Sequence, residues 1–413
     1  MTRAVVTVDA LVVGAGPAGL AAATALQAGG AGHVMVLDRE DEAGGTPRLC
    51  EHTGFGLRDL RRILSGPAYA RRWVERASAG GVDIRTRSMV TAWAAPGRAD
   101  VTGPDGLLQV EARAVVLATG ARERPRAARL VPGTRPSGIF TTGQLQQWVH
   151  RRHLPLTGRA IIVGAEHVSY SAVLTLREAG VRTVALVTDL PNTQTFRSFD
   201  LATRVGLRVP VWTRTAVTGI TGRDRVEAVL LRHPDGTGRT VAVDVVVFSG
   251  DFIPDDELAR LAHLTIDPGT KGPACDIDGR TTSPGVFATG NLVHPAETAD
   301  VAARRAMSVG RAAATWLRDG DGHTVDPAAV RLRVAHPLLW VVPNLAGPGR
   351  AGAEPLLVRT RTFLDRPLLE VTQGAHRLGS FRPRRLIPNR SYALPSDWLR
   401  LVQPGEDVLL SVS

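Results

Sequence analysis

Six consecutive residues, Gly14-Ala15-Gly16-Pro17-Ala18-Gly19, carry the first recognisable chemistry of the chain. They read G-x-G-x-x-G, directly after a short apolar run (Asp9 to Val13) and directly before an alanine- and leucine-rich stretch (Leu20 to Ala28). Strand, tight turn and helix in that order make a dinucleotide-binding fingerprint. Gly14 allows the turn, Gly16 lets backbone approach a pyrophosphate, and Gly19 lets helix and strand pack closely. The helix N-terminus offers its amides and positive dipole end to the phosphates. A second strand, His33 to Leu37, ends at Asp38, about twenty residues beyond the glycines, where an acid accepts hydrogen bonds from a ribose.

The fingerprint alone fits FAD or NAD. Three later returns to glycine point to an elongated cofactor and a discontinuous binding domain. Gly44-Gly45-Thr46 lets backbone pass close to a flat cofactor and its diphosphate; Ala114 to Ala118 reads as a strand ending in Thr119-Gly120; and Gly285-Val286-Phe287-Ala288-Thr289-Gly290-Asn291 again runs from strand into glycine. With these elements in place the chain resembles the FAD-dependent pyridine nucleotide–disulfide oxidoreductase superfamily over residues ~8 to ~317. The resemblance implies FAD as cofactor, held by Gly14, Gly16, Pro17, Ala18, Gly19, Asp38, Arg39, Gly45, Thr46, Thr119, Gly120, Gly290, Asn291, Thr298 and Ala299. Asn291 departs from the family's usual aspartate, yet its carbonyl still accepts a hydrogen bond. The helix expected from about Glu297 to Leu317 then aims its N-terminus at the flavin pyrimidine ring.

Disulfide members of that family read G-G-T-C-x-x-x-x-C. Here the stretch is Gly44-Gly45-Thr46-Pro47-Arg48-Leu49-Cys50-Glu51-His52, so Pro47 and His52 stand at the two cysteine positions. Dithiol chemistry needs two thiols within bonding distance, and the other cysteine, Cys275, belongs to a separate segment. No redox disulfide is expected. His52, by the same alignment, faces the flavin as a candidate catalytic base for a substrate amine; the alternative is a structural histidine satisfied by neighbours such as Glu51.

A second fingerprint follows in the middle of the chain, Gly164-Ala165-Glu166-His167-Val168-Ser169, after the strand-like Ala160 to Val163. Glu166 and Ser169 replace its second and third glycines. A side chain and a negative charge there oppose a pyrophosphate, so NAD(P) binding is doubtful, although Asp189 sits where an acid favours a ribose. Together with Leu64-Ser65-Gly66-Pro67-Ala68-Tyr69-Ala70, Gly120 to Pro125 and Gly290 to Pro295, this pattern resembles one branch of the superfamily. That branch holds the flavoprotein subunits of opine oxidases, hydrogen cyanide synthase and dye-linked proline dehydrogenases. It implies oxidation of a C–N bond in an amino acid, imino acid or amine by hydride transfer to flavin, with electrons passed to an acceptor other than NAD. Two other readings stay open: an NAD(P)H-dependent flavin reductase, and an electron-relaying or non-catalytic FAD subunit of a larger dehydrogenase. Any iron–sulfur relay would lie in another subunit, since two cysteines cannot ligate a cluster.

The expected fold class is α/β: two Rossmann-like three-layer domains plus a small all-β module. The FAD domain is discontinuous (1–125 and 285–325), the NAD(P)-like domain is inserted (126–284), and strand-like runs punctuated by proline and glycine fill 326–413. That last module either packs on the flavin domain or docks a partner subunit or electron-transfer protein. Hydrophobic residues at 44% and charged residues at 22% fit a globular chain of 413 residues and exclude wholesale disorder. The net charge of +11 is carried almost wholly by arginines spread along the chain, which argues against a nucleic-acid face. With no apolar run of ~18 residues, no membrane span is expected. Two cysteines and a strand-like start without a signal peptide point to a cytoplasmic protein.

Overall fold

The computed structural model describes residues 4–95, 97–320, 325–350, 352 and 354–413; residues 321–324 of the expected 285–325 segment lie outside them. The chain divides into two compact units. One holds the chain up to Arg48, Gly54–Ala121 and everything from Pro254 on; the other holds Leu49–Thr53 and Arg122–Ile253.

In the first unit the apolar runs become a parallel sheet. Ala4–Val13 lies between Val34–Leu37 and Gly106–Leu117; Asp83–Arg85 extends it on one side, and Val286–Ala288 also pairs with Gly106–Leu117. An antiparallel hairpin, Met89–Ala95 and Arg98–Gly103, completes it. Both faces are buried, and the alternation is clean. Ala10, Val12, Val34, Val36, Ala114 and Val116 face one core; Leu11, Val13, Met35, Leu37, Val115 and Leu117 face the other. A sheet covered on both sides explains why its strands read as continuous apolar runs.

The helices Pro17–Ala28 and Ala299–Asp319 cover the first face, and they meet through small residues: a Cβ at Gly310 would strike the Ala22 carbonyl oxygen. The late helix begins two residues after the expected start and ends two beyond it, with Gly320 in the left-handed conformation as its stop.

Register positions the site. Val13 stands opposite Leu37 and Leu117, and Leu117 opposite Ala288. The residues that follow, Gly14, Asp38, Thr119-Gly120 and Gly290-Asn291, therefore emerge together at the carboxyl edge of the sheet, where open α/β sheets bind ligands.

The second unit repeats the pattern with a five-stranded parallel sheet in the order Ile139–Thr141, Val245–Phe248, Arg159–Val163, Arg182–Val187, Val211–Trp212. Helix His167–Glu178 follows the central strand, and a three-stranded antiparallel sheet spans Ala216–Ala242. The insertion closes at Ile253 rather than near 284. The reason is packing: Ala259, Leu264 and Cys275 join the core of Leu11 and Val115 in the first unit. At the other boundary, Arg124 pairs with Asp251 at 2.9 Å inside the second unit.

From Val330 to Val412 the described chain is strands joined by turns and one 3-10 helix, Asp397–Leu401. A five-stranded sheet includes Val330–Val334, Val408–Val412, Leu369–Gln373 and His376–Phe381, and a three-stranded one joins Leu338–Val342, Leu356–Thr360 and Tyr392–Leu394. Val330–Val334 and Leu338–Val342 are separated by a turn at Ala335–Pro337 and enter different sheets. Their own core includes Leu332, Val358, Val371, Trp398 and Leu410.

Candidate functional site

The carboxyl edge of the first sheet forms a backbone cradle. Gly14 has φ +108°, and a Cβ there would meet the Ala118 carbonyl oxygen at 2.5 Å; a Cβ on Gly19 would collide with the Gly14 carbonyl oxygen. Glycine at both positions follows from these approaches. Gly16 is the N-cap of helix Pro17–Ala28 in ordinary extended geometry, Pro17 opens the helix, and no side chain caps it. Its first amides, orphaned by helix geometry, are left to an anion. A Cβ on Gly45 would come within 2.7 Å of Gly16 Cα, and Gly44 N donates to Ala15 O at 2.8 Å, so the two glycine segments run against each other beside Thr46. A Cβ on Gly290 would approach Ala18 Cβ at 2.6 Å, which brings the late motif to the same turn.

Asp38 braces this cradle. Its Oδ2 accepts from Ala15 N at 2.6 Å and its Oδ1 from Glu40 N at 2.8 Å. A residue not singled out from the sequence, Asp255, ties the adjoining strand ends together. Its backbone N–H donates to Gly120 O at 3.0 Å, its carbonyl accepts from Thr119 Oγ1 at 2.7 Å, and its carboxylate lies 3.3 Å from Arg39 Nη2. Asn291 accepts from Glu297 N with Oδ1 (3.0 Å) and donates to Glu297 O with Nδ2 (3.1 Å). Only an amide answers both groups, a physical reason for asparagine where an aspartate would lack the donor. Thr298 is the N-cap of helix Ala299–Asp319; it donates to Asp300 Oδ1 at 2.5 Å and accepts from Arg58 Nη1 at 3.1 Å. Small residues where backbone must approach, an uncapped helix N-terminus and an acid at the second strand end fit an FAD.

Beside the late motif, His294 is wholly buried and neither ring nitrogen has a hydrogen-bond partner among the described residues. Burial pushes its pKa down to about 3, so it is neutral.

The second unit holds a different set of polar groups. Glu166 turns its carboxylate back into the fingerprint turn: Oε2 accepts from Ala165 N at 3.0 Å, and Oε1 accepts from Ser169 Oγ at 2.8 Å and from Ser249 Oγ. A Cβ on Gly250 would meet Glu166 Cδ at 2.7 Å. The Glu166 side chain thus fills the turn of the second fingerprint. Nearby, Glu123 accepts from Gly143 N (2.8 Å) and Gly250 N (3.3 Å), and burial pushes its carboxyl up to about 7.

His52 also belongs to this unit, where Leu49–Thr53 packs. Its Nδ1 lies 3.0 Å from Thr53 O and its Nε2 2.7 Å from Ser171 Oγ. A carbonyl only accepts, so Nδ1 carries the proton and Nε2 receives the serine hydroxyl. Gln146 Nε2 donates to the same Ser171 Oγ at 2.9 Å, and Cys50 Sγ donates to Gln146 Oε1 at 3.7 Å. The result is one directed chain from Cys50 to His52. Ser171 and Gln146 went unremarked in the sequence, because helix positions so far from His52 carry no local motif. Cys50 and Cys275 form no disulfide, and burial pushes each thiol up to about 12. Neither is a thiolate at neutral pH, the form that exchanges disulfides.

No group of metal-ligating side chains occurs among the described residues, and no described helix is long and apolar enough to cross a membrane.

The family described as pyridine nucleotide-disulphide oxidoreductase matches residues 8–306. An opine oxidase subunit from Agrobacterium tumefaciens (strain Ach5) is 29% identical over 331 residues, covering 72% of this chain and 64% of that one. The alpha subunit of sarcosine oxidase from Rhizobium meliloti (strain 1021) is 29% identical over 281 residues, covering 64% of this chain and 26% of that one. The matches thus span less than two thirds of these relatives' lengths. Among solved structures, T. acidophilum thioredoxin reductase superposes with a TM-score of 0.62 at 19% identity, covering 75% of this chain and 98% of that one. L-proline dehydrogenase from P. horikoshii superposes with a TM-score of 0.56 at 18% identity, covering 78% and 58%. Likeness at these identities concerns the fold.

Proposed function

The chain belongs to the pyridine nucleotide-disulphide oxidoreductase family, whose members bind FAD, and we propose that it oxidises a C–N bond of an amino acid, imino acid or amine and hands the electrons to an acceptor other than NAD. The observation that carries this reading is the Glu166 carboxylate in the second fingerprint. Its place in that turn supports a reading in which nicotinamide is not the reductant. Cys50 and Cys275 form no disulfide with each other, which speaks against the other family route, through a redox disulfide. What remains is a substrate that reduces the flavin directly, and relatives named opine oxidase and sarcosine oxidase supply its class.

FAD, when bound, would supply the hydride acceptor; the protein's part is to hold it and to manage the proton. Gly14, Gly16, Gly19, Gly45 and the amides of helix Pro17–Ala28 would hold the diphosphate, and Asp38 the ribose. His52 accepts the substrate amine's proton at Nε2, reached through the Ser171 hydroxyl that now occupies it. Such bases contribute typically about 10²–10⁴ in rate. A partner subunit is part of the proposal, because relatives are themselves named as subunits. The same fact favours a second reading, an electron-relaying FAD subunit whose partner holds the substrate. Anaerobic flavin reduction, with and without a co-expressed partner, tests both.

A further inference from the structure

Leu356-Leu357-Val358-Arg359-Thr360 is a strand of the C-terminal module buried at every position, yet it contains an arginine only 4% exposed. A charge so placed needs partners. They come from the loop that carries the late motif. Arg359 Nη1 donates to Pro295 O at 2.9 Å; Nη2 donates to Ala296 O at 3.3 Å and to Glu297 Oε1 at 2.8 Å. Ser391, from the neighbouring part of the same module, accepts from Nη2 at 3.0 Å and donates to Glu297 Oε1. Trp340 closes the arrangement, with the guanidinium carbon 4.8 Å from its ring. Within the gripped loop Ala296 has φ +70°, a conformation an L-alanine avoids unless its surroundings impose it. Asn291 holds Glu297 from the other side through its two backbone hydrogen bonds.

We propose that Arg359 is a positioning residue of the dinucleotide site: with Ser391 it fixes the loop 291–297 and so the aim of the N-terminus of helix Ala299–Asp319, which makes the C-terminal module a structural part of that site. The inference rests on the FAD reading. A guanidinium fork is required, because its two terminal nitrogens reach acceptors on three successive residues. An ammonium satisfies the charge of Glu297 without spanning both carbonyls. Gly290 and Asn291 at one end of the loop and Thr298 and Ala299 at the other are the candidate cofactor contacts, so a loosened loop displaces both.

The test measures FAD binding to the apo-protein by quenching of flavin fluorescence, for the wild type, Arg359→Lys and Ser391→Ala, alongside thermal unfolding of the apo-proteins and the flavin midpoint potential. Arg359→Lys is expected to raise the FAD dissociation constant by about tenfold or more and to lower the potential, while Ser391→Ala shifts both in the same direction by less. Folded Arg359→Lys with wild-type affinity and potential overturns the proposal, whatever its melting temperature. Should Arg359→Lys fail to fold, Ser391→Ala decides: unchanged affinity and potential overturn the proposal, and a weakened site supports it. A wild type that binds no FAD marks failure of the FAD reading instead.

Discussion

Ser169 Oγ donates to Glu166 Oε1 at 2.8 Å, so the two residues that replace glycines in the inner fingerprint are bonded to each other. Ala165 N and the Ser249 hydroxyl donate to the same carboxylate. The Glu166 side chain thus fills the turn that binds a phosphate elsewhere. Helix His167–Glu178 has no side-chain cap, but an incoming phosphate would meet a space already filled by the Glu166 side chain.

Nicotinamide should therefore be a poor reductant. NADH and NADPH are expected to reduce the bound flavin slowly or not at all in stopped-flow absorbance, and Glu166→Gly, which empties the turn, to bind the nucleotide more tightly. Rapid, saturable reduction of the wild type at micromolar NADH contradicts this account.

Gly16 separates folding from cofactor binding. Its φ of −75° is open to any residue, and the nearest atom to an added Cβ is Gly45 Cα at 3.9 Å. Gly16→Ala should fold with a nearly unchanged melting curve, yet purify with little FAD, because the methyl group stands where the diphosphate approaches. Yellow Gly16→Ala protein with wild-type FAD content would refute the placement.

His52 and Ser171 are expected to act together in substrate oxidation. His52→Gln should keep its FAD and slow flavin reduction by about a hundredfold; Ser171→Ala should slow it less. If His52→Gln retains FAD and reacts with substrate at the wild-type rate, the histidine is structural.

Glu123 gives a pH signature with a defined sign. Its folded pKa of about 7 lies above the usual carboxylate value, because burial disfavours the charged form. The folded state then binds the proton more tightly than the unfolded chain. The stability it contributes is complete below about pH 4 and is lost as pH rises through 7. Relative to Glu123→Gln, the wild type should lose on the order of 2 kcal/mol between pH 5 and 8, less than the full shift because the group is partly solvated. A wild type that gains stability over that range contradicts the assignment.

Much of this was legible in the sequence because it is local. The G-x-G-x-x-G turn, Asp38 at its strand end and the replaced glycines Glu166 and Ser169 are read within one strand–helix–strand unit. The family likeness was equally legible, since glycine positions are dictated by backbone approach. The partners of these residues were not legible. Asp255 reaches Thr119 and Gly120 from beyond the whole insertion, and Ser171 reaches His52 across more than a hundred residues. The one overlooked signal was Arg359, a lone charge in the apolar run Leu356 to Thr360, which announces a buried partner without naming it.

The most direct test of the central claim is anaerobic titration of the purified protein, alone and with a co-expressed partner, against a panel of amines, amino acids, imino acids, NADH and NADPH, followed by flavin absorbance. The account predicts bleaching by a C–N substrate and not by nicotinamide, with two electrons taken up per flavin and no change in Cys50→Ser. Fast bleaching by NADH with every C–N compound inert, or uptake of four electrons lost in Cys50→Ser, would contradict it.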